Sequence, residues 1–428
     1  MIHRAALLVC LGQLAFSARA EDLPEPVLPM GVGVNIHFTE GHERELDLLA
    51  AAGFKLVRMD FEWAGIEREQ GQYDWSEYDK LTANLERRGL RPYYILDYSN
   101  PLYERPVASK NAITGQAEHQ DPASPQHPES VAAFARWAGA SARHFRGRHI
   151  IWELWNEPNL FFWKPQPDVG QYTALALASC KAMRQADPQA VLVGPATSEF
   201  PWAFLESCFQ SGLLAYWDGV SVHPYRPPAS PPESVAGDYQ RLRGLIERYA
   251  PTPAKRRIPI LSGEWGYSSN TKGVSLPNQA AFLVRQQLFN LLEGVPISIW
   301  YDWRNDGEDP SENEHNFGVV SHDLRPKPAY AAIQTLTRQL SGCRLGRRCD
   351  TGNGKDYVLL LSNAKGRARL AAWTLDEPHR VTLDVPPTPA RQLQVVRVGG
   401  ELGSVEVMSN HINLELNGEP QYVILSPR

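Results

Sequence analysis

Cysteine is scarce in this chain, five in 428 residues, and no Cys and His spacing resembles a zinc site. No glycine-rich fingerprint for a dinucleotide or a phosphate follows the first predicted strand. None of these patterns calls for a metal or a cofactor. There is no basic excess: the net charge of −5 argues against a nucleic-acid partner or an anionic membrane surface. Nor is there an apolar run long enough for a permanent transmembrane segment, since the candidate Ala5–Phe16 is too short. What remains is an ordinary globular composition, 43% apolar and 21% charged. It includes 12 Trp and 16 Tyr, whose faces either stack on sugar rings or fill a core.

Residues 1–20 read as a signal peptide. His3 and Arg4 give a positive start, Ala5–Phe16 an apolar centre, and Ala18-Arg19-Ala20 a small-residue cleavage signal. The expectation is an exported protein, periplasmic or secreted, whose mature chain starts at Glu21. Export makes disulfides plausible for the four remaining cysteines. Cys343 and Cys349 bracket a short basic loop and are the expected bridge. Cys180 and Cys208 fall in consecutive predicted helices, either meeting on the exterior or staying as buried free thiols.

From Met30 to Leu340, strand and helix patterns alternate. The strand candidates are 31–37, 55–60, 91–97, 149–155, 190–195, 217–223, 258–263 and 296–300. The helical patterns between and after them cover 43–52, 76–88, 128–145, 169–186, 202–212, 234–249, 279–293 and 328–340. Eight βα units in succession predict a closed (β/α)8 TIM barrel over residues 21–340. After Leu340 the pattern changes to short alternating strands such as YVLLLSN and HRVTLDV, separated by Gly, Pro and Asn turns. Residues 341–428 are therefore expected to form an all-β sandwich-like domain.

Two strands end in carboxylates. HIIWELW runs into Asn156-Glu157-Pro158, where Pro158 cannot extend a ladder and pushes Glu157 away from helical geometry. ILSGEWG places Glu264 at the end of the seventh strand. Barrel enzymes keep their chemistry at such tips. Glycosidic oxygen leaves poorly unless protonated, so one carboxyl must supply a proton and a second must attack or activate water. Glu157, among Trp152, Trp155 and Trp163, fits the acid; His37, ending the first strand, is a candidate sugar contact or a core histidine.

WNEPN followed by GEWG resembles the acid/base and nucleophile motifs of clan A glycoside hydrolases, particularly family 39 and its bacterial exopolysaccharide-hydrolase relatives. The resemblance implies a carbohydrate substrate and a retaining mechanism, with Glu157 as acid/base and Glu264 as nucleophile. It implies that Asn156 binds the sugar 2-hydroxyl and that Arg58 keeps Glu264 ionised. His223 and Tyr225, in SVHPY, match a clan pattern whose tyrosine orients the nucleophile, and Trp300 resembles the aromatic floor of the cleavage subsite. The competing reading is a non-catalytic carbohydrate-binding protein on the same barrel.

Overall fold

The computed structural model describes residues 23–110, 117–251 and 257–425. The expected signal peptide lies outside the described residues. Eight parallel strands close into a barrel in sequence order: β1 (Val32–Asn35), β2 (Leu56–Glu62), β3 (Arg91–Asp97), β4 (Ile151–Leu154), β5 (Val191–Ser198), β6 (Gly219–His223), β7 (Ile260–Trp265) and β8 (Ser298–Trp300). The helices that cover it are α1 (Glu43–Ala52), α2 (Ser76–Glu86), α3 (Pro128–His144), α4 (Val169–Ala186), α5 (Trp202–Gln210), α6 (Ala236–Tyr249), α7 (Leu276–Leu292) and α8 (Pro328–Gln339). The strand and helix patterns thus located every unit: most of the helices bury one face, whereas the barrel strands are short, mainly apolar runs buried on both.

Alternation along the strands also sorts the barrel interior by height. The lower interior is apolar, built from Leu56, Tyr93, Ile151, Val191, Val193, Leu261, Ile297 and Ile299. One step further along β2, β4 and β6, the inward positions become Arg58, Glu153 and His223. Gly263 keeps this layer tight. A Cβ there would sit 2.1 Å from Ser221 Oγ and 3.0 Å from Glu153 Oε1.

Beyond α8 the chain enters an eight-stranded antiparallel sheet. Its strands are β9 (Cys343–Arg348), β10 (Asp356–Asn363), β11 (Ala368–Thr374), β12 (His379–Asp384), β13 (Gln392–Arg397), β14 (Leu402–Met408), β15 (His411–Leu416) and β16 (Gln421–Ile424). They are ordered β9-β10-β11-β16-β13-β14-β15-β12, and the sheet folds over on itself. Val358, Leu370 and Val423 pack inside this fold against Val381, Leu383, Leu414 and Leu416. The alternate residues Leu359, Leu361, Ala371, Trp373 and Tyr422 join the barrel core. A buried polar knot locks this junction. Arg285 on α7 forms a two-point pair with Glu233 (2.9 and 2.7 Å), and Trp373 Nε1 donates to the same carboxylate at 2.7 Å.

The Cys343–Cys349 bridge is corrected by this sheet. Both thiols are free. The segment between them is strand β9 paired along its length with β10, rather than a loop. Six residues of strand separate the two by roughly 20 Å, far beyond the reach of a disulfide. Cys180 and Cys208 are also free and buried.

Candidate active site

Strand β4 stops at Leu154, and the chain then turns sharply to present Asn156 and Glu157. Trp155 (φ 69°) and Glu157 (φ 43°) both occupy the left-handed region, a conformation that costs bulky residues energy. A bulge in β5 holds the turn in place. Register slips between Pro195 and Thr197, and the carbonyl of Ala196 so exposed accepts the Glu157 backbone N–H at 3.0 Å. Trp155 and Trp163 pack 4.9 Å apart beneath it.

Arg58 is the centre of the site. A guanidinium has five N–H groups, and all five are used here. Nε donates to Glu153 Oε2 (2.8 Å), and Nη1 donates to Asn35 Oδ1 (3.0 Å) and Glu264 Oε2 (2.5 Å). Nη2 donates to Asn156 Oδ1 (2.9 Å) and reaches His223 Nε2 (3.4 Å). With Nε2 of His223 accepting, Nδ1 carries the ring proton and donates to Glu157 Oε1 at 2.9 Å. Tyr225 donates to Glu264 Oε1 at 2.8 Å, and Asn156 Nδ2 donates to Tyr98 at 3.1 Å.

Burial alone would raise the Glu264 carboxyl, but the charges of Arg58 and His37 and the Tyr225 bond hold it below the usual range. Within this cluster one donor atom each of Glu157, His223 and Glu264 lie within 4.8 Å of one another. Such a trio has the chemistry to chelate a cation, yet Arg58 already places its positive charge against Glu264.

Glu153 escaped the sequence reading. It is fully buried and accepts from Arg58, from Tyr93 (2.7 Å) and from Ser221 (2.5 Å). The signal was there: a lone acid in the apolar run IIWELW must meet a partner inside. Asn35 was missed as well, having no pattern around it.

Arg58, Asn156, Glu157, His223, Tyr225 and Glu264 are all brought together by the fold. His37 stands at the rim, its ring exposed, with Nε2 3.5 Å from Asp302 Oδ2. Trp300 requires a correction: it has no exposed face, and its indole donates to the Phe317 carbonyl at 3.3 Å. The next residue, Tyr301, is the aromatic at the pocket, 5.6 Å edge-on from His37. Burial, then the charges of Asp302 and Glu264, push its hydroxyl well above the usual range.

The closed barrel, with ionisable groups massed at the C-terminal ends of its strands, is the architecture of clan A glycoside hydrolases. Residues 30–306 match the family model described as cellulase (glycosyl hydrolase family 5), and the chain belongs to that family. A β-xylosidase of Caldicellulosiruptor saccharolyticus is 25% identical over 272 residues, 55% of this chain and 54% of that protein. The chain thus spans about half the length of that relative, and 40% of a second, the β-xylosidase of Geobacillus stearothermophilus. Among solved structures, a family 39 glycoside hydrolase from the gut symbiont Bacteroides cellulosilyticus WH2 superposes with a TM-score of 0.77 at 23% identity, over 95% of this chain and 82% of that one. A family 39 β-xylosidase from Caulobacter crescentus gives 0.67 at 19%, over 96% and 98%. These two are similar in fold.

Proposed function

We propose that the protein is an exported retaining glycosidase that cleaves β-linked oligo- or polysaccharide, an exopolysaccharide among the candidate substrates. The observation that carries the reading is the separation of the two carboxylates, with an oxygen of Glu157 within 4.8 Å of one of Glu264. Retaining enzymes hold this pair at about 5–5.5 Å, whereas inverting ones leave about 6.5–9.5 Å for a water.

In this mechanism Glu157 protonates the departing oxygen, positioned by the His223 Nδ1–H. Glu264, ionised and pinned at both oxygens by Arg58 and Tyr225, attacks the anomeric carbon to form a glycosyl ester. Water then releases the sugar, with Glu157 acting as base. Asn156 has one amide N–H left for the sugar 2-hydroxyl after its bond to Tyr98. The curated relatives are called β-xylosidases, so a β-xyloside is the first substrate to offer. A sugar-binding barrel without turnover would have no use for a carboxylate ionised by three separate partners.

The test is trapping. A 2-deoxy-2-fluoro aryl β-xyloside, or the equivalent of whichever sugar is turned over, should leave an adduct that peptide mass mapping places on Glu264. Early product should be the β anomer by proton NMR. An α anomer at first turnover means inversion and ends the proposal.

A further inference from the structure

Among the described residues Phe161 is the only Phe, Tyr or Trp that is exposed, at 39%. It sits just beyond the proposed acid, on a turn tied to it. Leu160 N–H donates to the Glu157 carbonyl (2.9 Å) and Trp163 N–H to the Leu160 carbonyl (3.0 Å), so Phe161 and Phe162 form the tip. Both feet of the turn are fastened. Asn159 exchanges two hydrogen bonds with the backbone of Ser198 (3.1 and 2.9 Å). On the far side Trp163 is fully buried. Lys164 donates from its backbone N–H to Ser124 Oγ (2.8 Å) and from Nζ to Asp121 (2.6 Å).

A single exposed ring is ordinary on a protein surface. What sets this one apart is the row of rings it ends. Phe161 and Phe162 lie 4.2 Å apart, and Phe162 stacks on Tyr98 at 5.9 Å with 12° between the planes. The Tyr98 hydroxyl accepts from Asn156 Nδ2 at 3.1 Å, so the row starts at the amide assigned to the sugar 2-hydroxyl. Tyr98 follows β3, which lies four strands from β7 around the closed ring, so the row rises across the mouth from Glu264. Double displacement needs nucleophile and leaving group on opposite faces of the anomeric carbon, with the acid beside the departing oxygen. The departing group must therefore pass Glu157 on the side away from Glu264, where Phe162 and Phe161 stand.

We propose that Phe161 and Phe162 form the platform for the leaving group and hold it by the apolar face of a ring. The enzyme then favours a pyranose as leaving group over one without a ring. The proposal deepens the glycosidase reading above and rests on it. The C–H face of a pyranose laid on an aromatic ring buries apolar surface on both, while its hydroxyls stay in water at the rim. The braced turn sets the rings in advance, so binding orders little that was free.

The experiment compares the unaltered full chain with Phe161→Ala and Phe161→Trp on two substrates of one glycone. β-Xylobiose has a pyranose leaving group, and β-xylosyl fluoride has one without a ring; the equivalents of another sugar replace them if that sugar is the one turned over. The ratio of disaccharide to fluoride kcat/KM should fall about 3- to 10-fold in Phe161→Ala, as loss of one ring contact demands. It should recover in Phe161→Trp. An unchanged ratio, whether both rates fall together or neither does, overturns the proposal, and so does a Trp variant no better than Ala. An unaltered chain that cleaves the fluoride but no β-linked disaccharide of the same sugar overturns it too. If neither substrate is cleaved the glycosidase reading fails separately. Calorimetry with β-xylobiose then decides the platform, equal affinities of the unaltered chain and Phe161→Ala refuting it.

Discussion

Arg58 Nη1 lies 2.5 Å from Glu264 Oε2, with the arginine side chain 1% exposed. A cation so enclosed is stable only among acceptors. Here the same guanidinium joins Glu153 on β4 to Glu264 on β7, linking opposite sides of the barrel. It fixes the geometry of the proposed nucleophile and its charge at once.

Replacing Arg58 separates those two effects. Arg58→Lys keeps the charge but loses the fork, and kcat should drop on the order of 100-fold through misplacement of Glu264. Arg58→Met also removes a positive charge that holds the Glu264 carboxyl down, so the acidic limb of kcat/KM should move to higher pH. The sign follows from the depressed carboxyl: its ionised form contributes stability above its unfolded pKa, which is lost as pH falls through the folded value. Arg58→Ala, leaving two buried carboxylates unpaired, should cost about 3–5 kcal/mol in denaturant unfolding. An acidic limb that stays put in the Met variant would show that Arg58 does not tune Glu264.

Glu157→Ala should discriminate between leaving groups. A poor leaving group needs the proton, and its turnover should fall by about 10²–10⁴-fold; an activated aryl glycoside should lose far less in its first step. Azide should restore turnover and give a β-glycosyl azide. Equal losses on both substrates with no azide product would remove Glu157 from the acid/base role.

The Glu233–Arg285 pair at the junction of barrel and sheet is a stability element rather than part of the chemistry. Both side chains are at most 5% exposed, and Trp373 donates to the same carboxylate. Glu233→Ala strands a buried guanidinium and should cost about 3–5 kcal/mol. Trp373→Phe, which removes one hydrogen bond to a charged group and some packing, should cost less. Unfolding followed by circular dichroism would refute this if Glu233→Ala changed stability by less than about 1 kcal/mol.

The free thiols make a separate prediction. In native protein without reductant, Cys349 is half-buried and should react first with a thiol reagent, while Cys180 and Cys208 wait for unfolding. Reductant should leave the Tm unchanged. A linked Cys343–Cys349 peptide in the non-reducing map would contradict the strand that separates them.

The sequence alone settled the architecture, since eight short apolar strand runs, buried on both faces in the barrel, alternate with eight period-3.6 helical patterns. It also marked Glu157 and Glu264, because a proline or glycine next to an acid at the end of an apolar strand is a local signal. What it could not carry was anything set by closure and register. Arg58 gathers acceptors from β1, β4, β6 and β7, and no spacing along the chain relates Asn35 to Glu153. One position decided the aromatic at the pocket. Trp300 turns into the core and Tyr301 toward His37, a distinction that depends on where the strand ends and the chain turns. The segment after Cys343 read as a loop from its glycine and arginines, and only pairing with β10 made it a strand, because backbone hydrogen bonds to a neighbour outweigh weak local preference.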